Sequence, residues 1–307
     1  MMKVLVTGGC GFIGSHIVDL LVQEQHDVMV VDDLSTGKEQ NVNKEAQYIV
    51  GSINSPEFDA AVEQFQPEAI IHQAAQVSVP RSIENPFTDE EINIRGSLHV
   101  IESAKKHGVR KIVFASSAAV YGNPEYLPVD VNHETKPMAP YGVSKFAVEK
   151  YLQMAQILYG IDFTILRYGN VYGPRQDALG EGGVIAIFAE AFGRGEAPFI
   201  FGDGEQTRDF VYVGDVAKAN VKALTSGDNR ILNVSSADKI TVNELFFLMN
   251  EISGNSLDPV YKEERSGDIR DSVLSNSDTI LALDWNAEVT LPQGLANTLE
   301  FYKSASK

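Results

Sequence analysis

Tyr141 and Lys145 stand four residues apart in Tyr141-Gly142-Val143-Ser144-Lys145, and Ser117 lies 24 residues upstream of the tyrosine. A spacing of four places both side chains on one face of a helix. An ammonium near a phenol favours the phenolate and draws a tyrosine pKa down from about 10 toward neutrality. A phenol tuned in this way can take and return a proton at cellular pH. Each residue also has an ordinary reading: Ser117 as a strand-end turn serine, Lys145 as a solvated helix lysine, the pair as a chance recurrence. The chemical reading gains its weight from a nucleotide-binding signal at the N-terminus.

That signal is Thr7-Gly8-Gly9-Cys10-Gly11-Phe12-Ile13-Gly14, with glycines spaced G-x-x-G-x-x-G at Gly8, Gly11 and Gly14. It follows a strand pattern and opens a helix pattern. Glycine permits a tight turn and a close approach of backbone to a pyrophosphate, and the N–H groups and dipole of the new helix then face the anion. Asp32 stands about 20 residues on, at the end of the next strand, where an acid bonds the adenosine ribose. A carboxylate there repels a 2′-phosphate, so NAD is favoured over NADP. A glycine turn by itself could be an ordinary strand–helix connection; strand, helix and acid in place together argue for a dinucleotide.

The elements that must position these groups alternate. Lys3 to Thr7, Asp27 to Val31, Tyr48 to Val50, Ala69 to His72, Lys111 to Ala115 and Asp162 to Arg167 read as strands. Between them, Phe12 to Gln25, Pro56 to Phe65, Phe87 to His107 and Tyr141 to Tyr159 read as helices. Strands alternating with helices of this length predict a parallel sheet covered on both faces. After Tyr168 glycine and proline become denser and short elements mix. The expected class is α/β: a Rossmann-type doubly wound sheet over residues 1–168, and a smaller mixed α/β lobe over 169–307 that mainly faces substrate. Later segments are expected to cross back into the first part.

Composition narrows the function classes. The 307 residues carry 44% hydrophobic and 22% charged residues, as in a soluble globular protein with a substantial core. The net charge of −17 repels nucleic acid and anionic membranes, so neither is an expected partner. An anionic ligand must be held by local cations or helix N-termini. The single cysteine, Cys10, allows no intrachain disulfide and fits a reducing compartment. No cysteine or histidine cluster has metal-ligand spacing, so no metal is expected. The first residues enter a strand without a signal-peptide apolar region, and no apolar run approaches the roughly 18 residues of a membrane span. A cytoplasmic protein is the expectation.

Together, TGGCGFIG, HQAAQ, SSAAVYG, YGVSK and RYGNVYGPRQ resemble the extended short-chain dehydrogenase/reductase superfamily. Within it they resemble the nucleotide-sugar 4-epimerases of the UDP-glucose (UDP-galactose) type, over a stretch from the first strand to about Trp285. The resemblance implies an isomerase that inverts C4 of a UDP-hexose by transient oxidation to a 4-keto sugar, with NAD as the cofactor. Ser117, Tyr141 and Lys145 would be the catalytic residues. The implied cofactor set is Gly8, Gly11, Phe12, Ile13, Gly14, Asp32, Asp33, Leu34, Ser35, Thr36, Gly37, Gln73, Ala74 and Ala75, with Asn93, Tyr141, Lys145 and Tyr168. Ser52 and Ile53 would meet the adenine, although Ser52 stands where relatives usually carry an aspartate. Val77 stands near a position where some relatives carry a lysine.

On the substrate side the resemblance implies Asn170 at a phosphate, Val184 among the substrate-binding residues together with Ser117 and Tyr141, and Phe199 and Phe201 flanking the uracil. Arg208 and Arg265 would bind the diphosphate, Asp268 the uridine ribose, and Ser272 would stand at a gate beside the sugar 2-substituent. A small residue at that gate implies that N-acetylhexosamines are accepted as well. Dehydratase relatives carry an Asp-Glu pair after the catalytic hydroxyl. Here Ala118 and Ala119 follow Ser117, and methyl groups cannot move protons. The resemblance also implies a homodimer, for which the helices at Phe87 to His107 and Tyr141 to Tyr159 offer outer faces. Two other readings stay open: a nucleotide-sugar epimerase acting on UDP-glucuronate or a dTDP-sugar, and a non-catalytic NAD-sensing protein.

Overall fold

The structure, a computed structural model, describes residues 1–178, 183–264 and 269–305. The first strands are β1 (Lys3–Thr7), β2 (Asp27–Asp32), β3 (Gln47–Val50), β4 (Ala69–His72), β5 (Lys111–Ser117) and β6 (Asp162–Tyr168). They join the strand Arg230–Val234 in one sheet of seven, ordered Arg230–Val234, β6, β5, β4, β1, β2, β3. Every pairing in it is parallel. The helices between are α1 (Phe12–Gln23), α2 (Pro56–Phe65), α3 (Val79–Glu84), α4 (Pro86–Asp89), α5 (Gly96–His107) and α6 (Pro140–Tyr159). Strand order reverses between β1 and β4. That is where the ends of parallel strands splay and leave a crevice for a ligand.

Covering both faces of the sheet explains why its strands read as continuous apolar runs rather than alternating ones. On one face Leu5, Ile70, Ile112, Phe114 and Ile165 pack against Val62, Val100, Val148 and Leu152 of α2, α5 and α6. On the other, Val4, Val6, Ile71, Val113 and Leu166 meet Ile17, Val18 and Leu21 of α1. Beyond β6 come β7 (Asn170–Tyr172), α7 (Val184–Gly193), β8 (Phe199–Phe201), β9 (Thr207–Arg208), β10 (Phe210–Tyr212) and α8 (Val213–Lys222). Here the strands pair only in twos: β7 with β10, β8 with Val260–Lys262, β9 with Ile240–Thr241. A third core of Phe188, Phe192, Ile200, Phe210, Phe246 and Leu295 sits under them.

Several expectations need correction, and the limits of β2, β3, β6 and α1 shift by one or two residues. The helix expected from Phe87 to His107 is broken into α4, a π-helical turn Glu90–Arg95 and α5. Asn85 starts it by accepting from the Thr88 N–H at 3.2 Å, and the wider turn brings Asn93 inside. The helix α3 is not predicted from the sequence at all. The strand β5 runs on to Ser117 rather than stopping at Ala115, so the serine is the last residue of the ladder.

Candidate active site

At the N-terminus of α1 the glycines make contacts that no side chain would allow. Gly8 has φ +68°, and a Cβ on Gly14 would lie 2.1 Å from Gly8 O. A Cβ on Gly11 would meet only Gly8 O, at 3.3 Å, so the turn is open in front of it. Gly11 caps α1 without a side-chain bond, and Phe12, Ile13 and Gly14 open a first turn that carries no acid. Asp32 sits behind the loop, accepting from the Cys10 N–H and the Leu34 N–H at 2.8 Å each. Burial raises its pKa. Asp33 accepts from the Ser35 N–H and hydroxyl. Past Thr36 the chain returns so closely that a Cβ on Gly37 would lie 2.7 Å from Asp32 Oδ1. Ser52 Oγ accepts from the Asn54 N–H, while the Ile53 side chain belongs to the core against Gly96.

The segment after β4 closes over the glycine loop. The Gln73 N–H donates to Thr7 O, and a Cβ on Gly8 would lie 2.7 Å from Ala74 N, one residue before Ala75. Below it runs a directional chain of hydrogen bonds. The Ala74 N–H donates to Thr7 Oγ1 at 3.2 Å, and Thr7 Oγ1 lies 2.7 Å from His72 Nδ1. His72 Nε2 lies 2.9 Å from Ser97 Oγ, whose hydroxyl donates to Asn93 O. Because Ser97 spends its proton on Asn93, His72 must donate from Nε2 and accept from Thr7 at Nδ1. Burial first, then the Lys145 charge, lowers the His72 pKa to about 3, consistent with a neutral ring.

Ser117 ends β5 where the chain turns into a 3₁₀ segment, Ala118–Val120, and its Oγ accepts from the Ala119 N–H at 3.2 Å. Pro140 starts α6 with a fixed φ, so Tyr141 lies in the first turn. A Cβ on Gly142 would sit 2.6 Å from Ala119 O; glycine is what lets the start of α6 abut the turn after Ser117. Lys145, one turn on, is 3% exposed. Its Nζ donates to Ala115 O at 3.0 Å and lies 5.9 Å from the Tyr141 ring centroid and 5.0 Å from that of Phe114. Burial lowers the ammonium pKa to about 8, against the opposing pull of Asp89. Tyr168 pairs in register with Ser117; burial holds its phenol in the protonated form, with Gln73 and Asn220 donating to its oxygen.

Beyond β7 lies a cavity of about 220 Å³. Asn170, Val184, Phe199, Phe201 and Arg208 all line it, so five of the residues expected on the substrate side come together. Asn170 is fixed by donating its Nδ2 to Asp209 O at 3.0 Å, and Arg208 NH1 donates to Thr207 O at 2.8 Å. Ser272 adjoins: its N–H donates to Thr207 O, next to Arg208. Arg265 and Asp268 lie outside the described residues.

The family model for the NAD dependent epimerase/dehydratase family matches residues 4–235. The chain belongs to the NAD-dependent epimerase/dehydratase family. It is similar to a putative UDP-glucose 4-epimerase of Methanocaldococcus jannaschii, 44% identical over 305 residues and 99% of each chain. Among solved structures it is similar to the Thermotoga maritima UDP-glucose 4-epimerase with UDP-glucose, at TM-score 0.97, 44% identity and full coverage of both chains. It is also similar to a UDP-N-acetylglucosamine 4-epimerase of Methanobrevibacter ruminantium in complex with UDP-N-acetylmuramic acid, at TM-score 0.95, 35% identity and 99% coverage of each.

In this NAD-dependent family the cofactor must find a cradle, and the residues present fit one. The Gly8–Gly14 contact leaves no room for side chains, the space before Gly11 is open, and the first turn of α1 is free of acids. Beyond the two backbone N–H groups and the Cys10 thiol that it accepts from, the Asp32 carboxylate keeps acceptor capacity for a ribose hydroxyl. Several residues that shape the site have no sequence signature. Asn93, expected near the cofactor, is 2% exposed and works as a tie. Its Nδ2 donates to Gln76 O, Asp89 Oδ1 and Ser144 Oγ, and its Oδ1 accepts from the Gln76 N–H. The side chains of Ser97 and Asn220 carry no motif: buried hydroxyls and amides look like core substitutions until their partners are known. Gln176 and Gln206 also line the cavity.

Proposed function

We propose that the protein is an isomerase that epimerises C4 of a UDP-hexose, interconverting UDP-glucose and UDP-galactose through a transient 4-keto sugar. The observation that carries this reading is the buried Lys145 ammonium beside Tyr141, at the end of the strand that presents Ser117. Membership of an NAD-dependent family and similarity to proteins named UDP-glucose 4-epimerase support it. NAD, which the Gly8–Gly14 loop and Asp32 would hold, would supply the hydride acceptor for C4 and the hydride donor for its return. The protein's part is proton handling: Tyr141 takes the O4 proton and returns it, Ser117 hydrogen-bonds O4, and Lys145 stabilises the phenolate. Ala118 and Ala119 offer no second acid, so the chemistry stops short of elimination.

On the sugar-nucleotide side, Arg208 and Asn170 hold phosphate, Arg265 joins them, Phe199 and Phe201 flank the uracil, and Asp268 meets the uridine ribose. Asp32, Asp33, Gln73 and Tyr168 belong to the cofactor side, with residues 1–168 mainly binding NAD and 169–307 mainly binding substrate. The outward face of α6 carries Val143, Tyr151 and Leu158, which are 49%, 39% and 62% exposed, with Phe87 at 83% nearby. This apolar face supports a homodimer. The −17 charge and lack of any helix long and apolar enough to cross a membrane, among the described residues, fit a cytoplasmic enzyme that binds neither nucleic acid nor bilayer.

Incubating purified protein with UDP-galactose and no added NAD tests the reading: UDP-glucose should appear, and the Tyr141→Phe variant should lose the activity. Binding of NAD without turnover of UDP-galactose, UDP-GlcNAc, UDP-glucuronate or a dTDP-hexose would leave the non-catalytic reading. The small Ser272 favours a second substrate class, UDP-N-acetylhexosamines. Good UDP-glucose turnover with no UDP-GlcNAc turnover would sink that extension.

A further inference from the structure

The helix α6 carries three polar residues at intervals of four: Tyr141, Lys145 and Glu149. The first two belong to the proposed catalytic centre. The third lies deeper, at 0% exposure, and faces the sheet. There Ser116 of β5 and Arg167 of β6 are register partners on neighbouring strands. Both bind Glu149. The Ser116 hydroxyl donates to Oε1 at 2.6 Å, Arg167 Nε donates to the same oxygen at 2.9 Å, and Arg167 NH2 donates to Oε2 at 2.6 Å. The next pair along the ladder is Ser117 and Tyr168.

Removing two charges from water costs several kcal/mol, and a buried pair is often no more stable than apolar residues of the same volume. Stability alone therefore does not account for the pair. Its geometry does something hydrophobic contacts do poorly: it fixes the axial position of a helix against two strands at once. From Arg167 the contacts continue. Its guanidinium lies 4.7 Å from the Tyr121 ring centroid, and the Tyr121 hydroxyl donates to Asn233 Oδ1 at 2.6 Å. Asn233 Nδ2 donates to Val129 O at 3.0 Å and Ser275 O at 3.2 Å, on the segment that carries Ser272.

We infer that Glu149, Arg167 and Ser116 form a positioning clamp that sets Tyr141 and Lys145 of α6 in register with Ser117 of β5, and that Tyr121 and Asn233 extend it to the substrate segment. None of the three touches substrate; they act through the groups they place. The inference rests on the proposed epimerase chemistry for its rate consequences, although the placement of the Tyr141 phenol can be read without substrate.

The test compares Glu149→Gln, Ser116→Ala and the double variant Glu149→Leu/Arg167→Met, all saturated with NAD, by thermal melting, UDP-galactose kinetics and ultraviolet titration of the Tyr141 phenol against Tyr141→Phe in each background. The double variant removes both charges while filling the space, so its melting temperature should stay close to the parent's. Its kcat should fall about 10²-fold, the size expected of roughly 1 Å of misplacement, with KM changed less than about threefold. The phenol should titrate at higher pH, because Lys145 no longer sits beside it in the same geometry. Ser116→Ala should show the same pattern on a smaller scale and keeps the test alive if the charge variants do not fold. A double variant, or a Ser116→Ala variant, that melts, turns over and titrates like the parent would overturn the clamp. A parent protein that epimerises nothing would remove only the proposed function, since the phenol titration stands without it.

Discussion

Around the ends of β1, β4 and β5, functional groups hang from a seven-stranded parallel ladder and are tied by hydrogen bonds running from element to element. Around the 220 Å³ cavity they hang from strand pairs only two or three residues long. In the first region Thr7, His72, Ser97 and Asn93 form one chain, and Lys145 is anchored on the strand that ends in Ser117. In the second, aromatic packing and a few side-chain-to-backbone bonds hold the lining. The difference follows the work proposed for each. Proton transfer tolerates little displacement of the reacting atoms. A pocket that recognises the common part of a sugar nucleotide needs affinity more than a fixed reacting distance.

Four measurements can break or sharpen that contrast. The largest effect belongs to Tyr141→Phe, which deletes the proposed proton carrier; kcat should fall by about 10²–10⁴-fold, with the melting temperature little changed. If turnover survives, the ladder region is not where the chemistry happens. The second compares glycines from the two regions. In Gly14→Ala the new Cβ would meet backbone oxygen at 2.1 Å, which cannot move aside; urea denaturation should show a loss of about 1–3 kcal/mol, with weaker NAD binding by titration. In Gly183→Ala the nearest atom is the end of the Gln176 side chain at 3.3 Å, so the change should stay within about 0.5 kcal/mol.

Arg208→Ala comes third. Losing the charged group proposed to bind the diphosphate should raise KM for UDP-galactose about tenfold with kcat nearly constant, because binding rather than proton transfer is weakened. A kcat loss as large as that of Tyr141→Phe would erase the distinction between the regions. The fourth is the pH dependence of His72. Folded, its ring stays neutral down to about pH 3; unfolded, it takes up a proton near 6.5. The unfolded state then binds more protons between those values, so this contribution to stability falls as pH drops from about 6.5 to 3, by up to about 1.4 kcal/mol per pH unit. Denaturation midpoints of parent and His72→Asn between pH 7 and 5 should show the slope flattened in the variant.

Legibility in the sequence follows the same division. The sheet strands could be read because burial on both faces leaves unbroken apolar runs, and the expected limits of β1 and β4 agree with the structure. The strand Arg230–Val234 was foreseen only as an unspecified return to the first part. The π-helical turn Glu90–Arg95 was not foreseen, because a periodicity of 3.6 is blind to one wider turn. The pairing of Glu149 with Arg167 was equally hidden: a glutamate on a helix and an arginine at a strand end read as solvated charges until their register is known. The role of Gly142 was hidden too, since only the structure shows its close approach to Ala119 O. For the cavity, motif resemblance gathered Asn170, Val184, Phe199, Phe201 and Arg208, while Gln176 and Gln206 have no signature beyond their place.

The return of Arg230–Val234 to the edge of the sheet has a consequence during synthesis. When β6 leaves the ribosome its outer edge has no neighbour. Its partner strand follows only after the intervening chain is made, a wait of about 3–12 s at roughly 5–20 residues per second. Through that interval Phe163, Ile165 and Arg167 present open backbone hydrogen-bonding groups beside an apolar face, the kind of edge that invites a second chain. Nascent chains stalled between these two points should therefore aggregate more readily than chains stalled after Val234. The segment that completes the sheet also serves as the protein's guard against its own half-made form.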